Sequence, residues 1–184
     1  QSSGGTHNSG LYSYGALTIT SENTTADAIR LIGKATGTNG EAWGFEAESA
    51  LSLLATGTGG GITVSSSQQD SANNYDIVLR GETNILAKSG PINLLGGQSG
   101  GIANGTMFLA SNEYLSSKAA SAVPTSSSTI TIQYDLYNFN NIPAKLATSG
   151  TLNWKPVSAS FGQNLATSWF DWNQNSQTLS GLTI

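Results

Sequence analysis

Short runs of apolar residues, broken by Gly, Ser, Thr and Asn, are the dominant pattern of this chain. Many alternate apolar with polar positions, which is the period of a half-buried strand, whereas almost no window sustains the longer helical period. The pattern predicts strands at 16–20, 28–32, 50–54, 61–65, 76–79, 84–87, 91–95, 106–110, 129–135 and 151–154. Turn-forming residues bound most of them, as an all-β fold requires. The alternating run "TITIQYDLYNF" predicts a longer strand or a hairpin arm, and the closing "LSGLTI" reads as a further strand.

The runs also repeat. "ATGTNG" at 35–40 returns as "ATGTGG" at 55–60, and Leu31 and Leu51 in the preceding strands keep that offset of twenty residues. "LAKSGPINL" from Leu86 returns as "LATSGTLNW" from Leu146, sixty residues on. Sequence periods of this order mark stacked architectures in which each repeat supplies a few short strands that pair with their equivalents above and below. Twenty residues are therefore taken as one coil and sixty as three. The expected fold is all-β, a right-handed parallel β-helix, or solenoid, with a projecting loop or short hairpin. A β-sandwich fibre subunit is the alternative that the strand count permits. In the solenoid reading Gly90 and Gly150 supply a positive φ at a corner, and Asn93 and Asn153 stack as an amide ladder.

The expected organisation is a flexible segment at 1–14, solenoid coils over 15–110, a projecting or capping loop at 111–128, and further strands with a C-terminal inter-unit contact segment over 129–184. The opening "QSSGGTHNSG" has no signal-like layout and reads as the start of a mature or excised piece. The apolar finish suggests that more chain, or another subunit, continues from there.

Composition narrows the function classes. With 184 residues the chain can bury a real core, and with no Cys it has no disulfides, no thiolate ligands and no thiol catalysis. Charged residues make up only 10% against the usual quarter, so hydroxyls and amides cover the surface. The seven basic residues are scattered and the net charge is -4, which leaves no phosphate-binding footprint and argues against nucleic acid. No apolar run approaches the roughly 18 residues of a membrane span.

Candidate chemistry is sparse. His7, the one histidine, lies in a Gly- and Ser-rich segment and reads as a tail residue rather than a catalytic base. No nucleophile elbow appears. Glu46 and Glu48 in "GFEAES" share a face if extended and can pair, but no basic residue lies near them in sequence, so solvated carboxylates are the simpler reading. "DSANNYD" at 70–76 offers oxygen ligands without the Gly and Glu of an EF-hand, and reads as a loop. "GTGGG" at 57–61 lacks the Lys of a phosphate loop and reads as a corner. No catalytic, cofactor-binding or metal-binding residue is assigned. Trp43, Tyr134 and Tyr137 are the candidate glycan contacts, because aromatic faces match the apolar faces of sugar rings. Trp154, Phe161, Trp169, Phe170, Trp172, Leu182 and Ile184 are the candidate contacts between units, with "SWFDW" at 168–172 the core of that patch.

The segment 150–184 carries "NWKPVSASF", with Lys155, Pro156, Ser158, Ser160 and Phe161, and then the closing "LSGLTI". This layout resembles the repeat boundary of giant bacterial β-strand-repeat surface proteins and of filamentous haemagglutinin-like adhesins. "AKSGPINLLGG" and "GGGITVSS" resemble further phrases of that family. The resemblance implies an extracellular or cell-surface, fibre-forming β-helical protein with structural and adhesive roles and no enzymatic activity. It supplies no catalytic residue. Its implied partners are copies of the same chain, or adjacent repeats of one polypeptide, and cell-surface glycans. The alternative function is a carbohydrate-binding or carbohydrate-active β-helix that uses Glu46, Glu48 and the aromatics.

Overall fold

The computed structural model describes residues 7–35, 41–67, 76–81, 83–97, 106–109, 113–116, 129–133, 136–138, 145–147, 151–155 and 182–183. Among them there is no helix. The strands are β1 (His7–Ser13), β2 (Leu17–Ser21), β3 (Ile29–Lys34), β4 (Glu41–Ala47), β5 (Leu51–Ala55), β6 (Ile62–Ser67), β7 (Ile77–Leu79) and β8 (Thr83–Ala87). They continue with β9 (Ile92–Leu95), β10 (Thr106–Leu109), β11 (Glu113–Ser116), β12 (Ile130–Gln133), β13 (Leu136–Asn138), β14 (Lys145–Ala147), β15 (Leu152–Lys155) and β16 (Leu182–Thr183).

These strands form three sheets. Sheet A runs β1-β4-β7-β10-β13, sheet B runs β2-β5-β8-β11-β14, and sheet C runs β3-β6-β9-β12-β15-β16. Up to β15, each strand pairs with the one three places later in the chain, and every recorded pairing is parallel. The protein is thus all-β, built of strand triplets that stack rung upon rung. A β-sandwich subunit is set aside, because its hairpins and Greek keys would demand antiparallel neighbours.

One core serves all three sheets. Phe45, Ala47, Ile77 and Leu79 come from sheet A, Leu51, Leu53, Ile85 and Ala87 from sheet B, and Ile62, Val64, Ile92, Leu94, Ile130 and Ile132 from sheet C. Strand alternation explains the set. In β5 and β8 burial alternates between full and partial along the strand, so every second residue enters the core. Thr83 occupies an inward place opposite Leu51. Its hydroxyl donates to the Gly81 carbonyl at 3.2 Å, which removes most of the cost of burying it.

The register corrects the expected period. Ile29 faces Ile62 and Ile62 faces Ile92, separations of 33 and 30 residues. Twenty residues span two sides of a triplet, which is why Leu31 in sheet C and Leu51 in sheet B are not equivalents. The sixty-residue phrase is real but covers two triplets rather than three: Asn93 faces Thr131, which faces Asn153. The two halves of that phrase drift by one residue, because Leu86 reaches Ala147, not Leu146, through Ser116.

Three local expectations also change. The segment 1–14, expected to be flexible, contains β1, paired with β4 from His7 to Ser13. Within 111–128, expected to project, residues Glu113–Ser116 form β11 between β8 and β14. "TITIQYDLYNF" is neither one long strand nor a hairpin, since β12 belongs to sheet C and β13 to sheet A.

Corners are where the sequence is most constrained. Gly59 has a φ of 85°, a conformation that favours glycine, and its N–H donates to the Ser89 hydroxyl at 2.7 Å. The described glycines with positive φ are Gly59 and Gly97, so Gly90 is needed for another reason. A Cβ there would run into the carbonyl of Gly60 in the triplet before it.

Candidate functional site

Three described charged groups, Glu46, Glu48 and Arg80, meet at one place, the corner leading out of sheet A. Backbone pairing continues past the strand ends there: the Glu48 N–H donates to the Ser13 carbonyl at 3.0 Å and the Arg80 N–H to the Ala47 carbonyl at 2.9 Å. Three successive triplets therefore place Tyr12, Glu46 with Glu48, and Arg80 side by side. Sequence separation hides this, since Arg80 lies 34 residues beyond Glu46 but one strand away in space.

The Arg80 Nε sits 3.1 Å from Glu48 Oε1 and 3.6 Å from Glu46 Oε1. Glu46 is fully buried, while Glu48 and Arg80 are each about one-third exposed. The Ser9 hydroxyl donates to Glu46 Oε2 at 2.7 Å. A carboxylate held at 0% exposure needs such compensation, because an uncompensated buried charge is costly. The guanidinium of Arg80 also lies over the Trp43 ring, 4.8 Å from its centroid, a cation–π contact that supports the same position. The carboxylates pull the Tyr12 phenol in the same direction as its loss of solvent. Its pKa is raised, first by desolvation and then by Glu46, Glu48 and Tyr14, with Arg80 opposing.

A second polar arrangement runs along sheet C. Thr63 donates to Asp27 Oδ1 at 2.7 Å and accepts from Asn93 Nδ2 at 3.2 Å. The same column continues in register through Thr131, Asn153 and Thr183, so the expected Asn ladder is a Thr and Asn alternation.

Several expected residues fall differently. Trp43 is 3% exposed, and its burial removes it as a sugar platform. Tyr137 lies in β13, opposite Met107, Trp154 lies in β15, opposite Ile132, and Leu182 lies in β16, opposite Leu152. Tyr134, Phe161, Trp169, Phe170, Trp172 and Ile184 lie outside the described residues. Glu46 and Glu48 do come together, and the basic partner that sequence proximity did not supply is Arg80. Asp76, at the end of the "DSANNYD" stretch, is fully buried. Its Oδ2 accepts the Gly97 N–H at 2.9 Å, and its backbone carbonyl accepts the Phe45 N–H at 2.8 Å, so it ties sheet A to the segment after β9. Its place directly before an apolar strand was the available signal.

Among the described residues no three His, Asp or Glu side chains gather as metal ligands. No helix of the described residues is long and apolar enough to cross a membrane. The fold class defined by these features is an all-β protein of stacked parallel sheets. A scan of protein-family models, a search of curated proteins and a search of solved structures each return no match for the chain.

Proposed function

We propose that the chain is a structural and adhesive module of a secreted or bacterial cell-surface fibre. In this reading its strand triplets are the coils of a right-handed parallel β-solenoid that extends by end-to-end strand stacking. The observation that carries the proposal is the strand order, in which β1, β2 and β3 each stand at the end of their sheet among the described residues. An unpaired parallel edge invites the next strand, and a head-to-tail contact of this kind propagates. Right-handedness follows from the strong preference of parallel crossover connections for that hand. The low charge fits a surface meant to pack closely.

The partners in this reading are other copies of the chain or adjacent repeats of one polypeptide. Glu46, Arg80 and Glu48 act as an electrostatic clasp across triplets rather than as an acid and a base. A guanidinium remains charged and is a poor proton acceptor, and the two carboxylates serve as its counter-ions.

Negative-stain electron microscopy and sedimentation of the purified chain test the proposal. Unbranched fibres are expected. Deleting residues 179–184, or placing Lys at both Leu17 and Ile19, should reduce them to folded monomers. A uniform monomer from the unaltered chain would overturn self-assembly, and fibres that survive both changes would overturn strand stacking as its route.

A further inference from the structure

The aromatic residues that meet solvent are not those expected to bind sugars. Of the four aromatic side chains whose burial is described, Trp43 and Phe45 are buried, whereas Tyr12 and Tyr14 are 47% and 79% exposed. The two tyrosine rings lie 6.5 Å apart between centroids and are tilted by 51°. Tyr12 faces Glu46 across the β1–β4 pair, and its neighbour Leu11 packs on the core. Alternation therefore turns Tyr12 away from the core, and its ring is open because β1 ends the sheet among the described residues, whereas Glu46 and Val78 in the same column are buried.

Near Tyr12 stand Glu48 and Arg80, held to each other at 3.1 Å and each about one-third exposed. The group thus offers two tilted apolar faces, phenol hydroxyls, a carboxylate acceptor and a guanidinium donor. A pyranose needs this combination, with C–H faces to lay on an aromatic ring and hydroxyls that both donate and accept at its rim. Charge selects among sugars. Glu46 and Glu48 against Arg80 leave one net negative charge at the site, and a uronic or sialic acid would add like charge beside it.

From this geometry we infer a glycan subsite on the outer face of β1, at the end of sheet A, in which Tyr12 and Tyr14 stack on an uncharged pyranose and Glu48 with Arg80 bind its hydroxyls. The subsite deepens the adhesive part of the proposed function and does not depend on fibre formation. Monomer binding and filament assembly are separate readouts, so either can fail alone.

The test is retention of the full-length chain on immobilised neutral β-glucan and galactan, with polygalacturonate and chitosan as charged comparators. Retention on a neutral polysaccharide is expected, and it should persist at high salt because stacking carries it. Tyr12→Ala and Tyr14→Ala should each weaken binding by about tenfold, or roughly 1.4 kcal/mol, and Glu48→Gln by less. Circular dichroism of the variants checks that the sheet is intact, and the exposed position of Tyr14 makes that variant the safer one. Retention on polygalacturonate in preference to the neutral matrices would overturn the inference. So would retention on chitosan alone that salt abolishes, binding unaffected by removing both tyrosines, or no retention on any matrix.

Discussion

The first and second strand triplets carry the same inward pattern and reach different burial. Leu51 and Leu53 in β5 are 0% exposed, whereas their register partners Leu17 and Ile19 in β2 are only partly buried against the core. Leu11 in β1 and Leu31 in β3 share the intermediate state. The difference does not lie in the side chains, which are equally apolar. It lies in their neighbours: β5 has β2 on one side and β8 on the other, while β2 stands at the end of its sheet among the described residues. In a stacked fold, alternation chooses which residues point inward, and the rungs on both sides decide how much water they lose.

Mutation can break that comparison. Leu53→Ala should cost about 2–5 kcal/mol, the range for a truncated core side chain. Ile19→Ala should cost about 1 kcal/mol, because only part of its area leaves water on folding. Denaturant midpoints at unchanged slope would report both values. Equal losses would mean that the β2 edge is covered in solution, which is what stacking of a further triplet would do.

The clasp sharpens the comparison, since Ser9, Glu46 and Arg80 belong to three consecutive triplets. Arg80→Ala should destabilise by about 2 kcal/mol. That is below the 3–5 kcal/mol of a fully enclosed pair because Arg80 keeps a third of its surface in solvent. A double-mutant cycle with Glu48→Ala should show non-additivity, and strict additivity would mean that the two groups do not interact.

The smallest effect is expected at high pH. The folded-state pKa of Tyr12 is raised, so the native chain holds that proton more tightly than the unfolded one. Its contribution is intact below the unfolded value of about 10 and is lost as pH climbs through the folded value. Tyr12→Phe should therefore lessen the alkaline decline of stability and remove a late-titrating component of the phenolate absorbance. An unchanged alkaline profile would show that folding does not raise the Tyr12 pKa.

Much of this architecture was legible in the chain. All ten expected strands have counterparts, from β2 to β15, because inward apolar positions such as Leu51, Leu53, Ile85 and Ile92 alternate with polar ones and end in turn residues. β1 and β4 escaped notice because "HNSGLYS" and "EAWGFEA" interrupt the alternation with glycine and place polar or charged residues inside a strand. The twenty-residue period has a related cause. From β3 to β5 the two sides with their corners are similar in length, with strand starts at Ile29, Glu41 and Leu51, so a turn phrase can recur after two sides as readily as after three.

What the sequence by itself determined is the class: short parallel-pairing strands, glycine corners such as Gly59, and a surface of hydroxyls and amides. These are local properties, set by alternation and by the φ that each corner demands. Only the tertiary structure decided the register of about thirty residues, the meeting of Arg80 with Glu46 and Glu48, and which aromatics face solvent. Those outcomes depend on which strand lies beside which. Stacking brings residues 34 apart in the chain to the separation of adjacent strands, about 4.8 Å, and no local pattern encodes that distance.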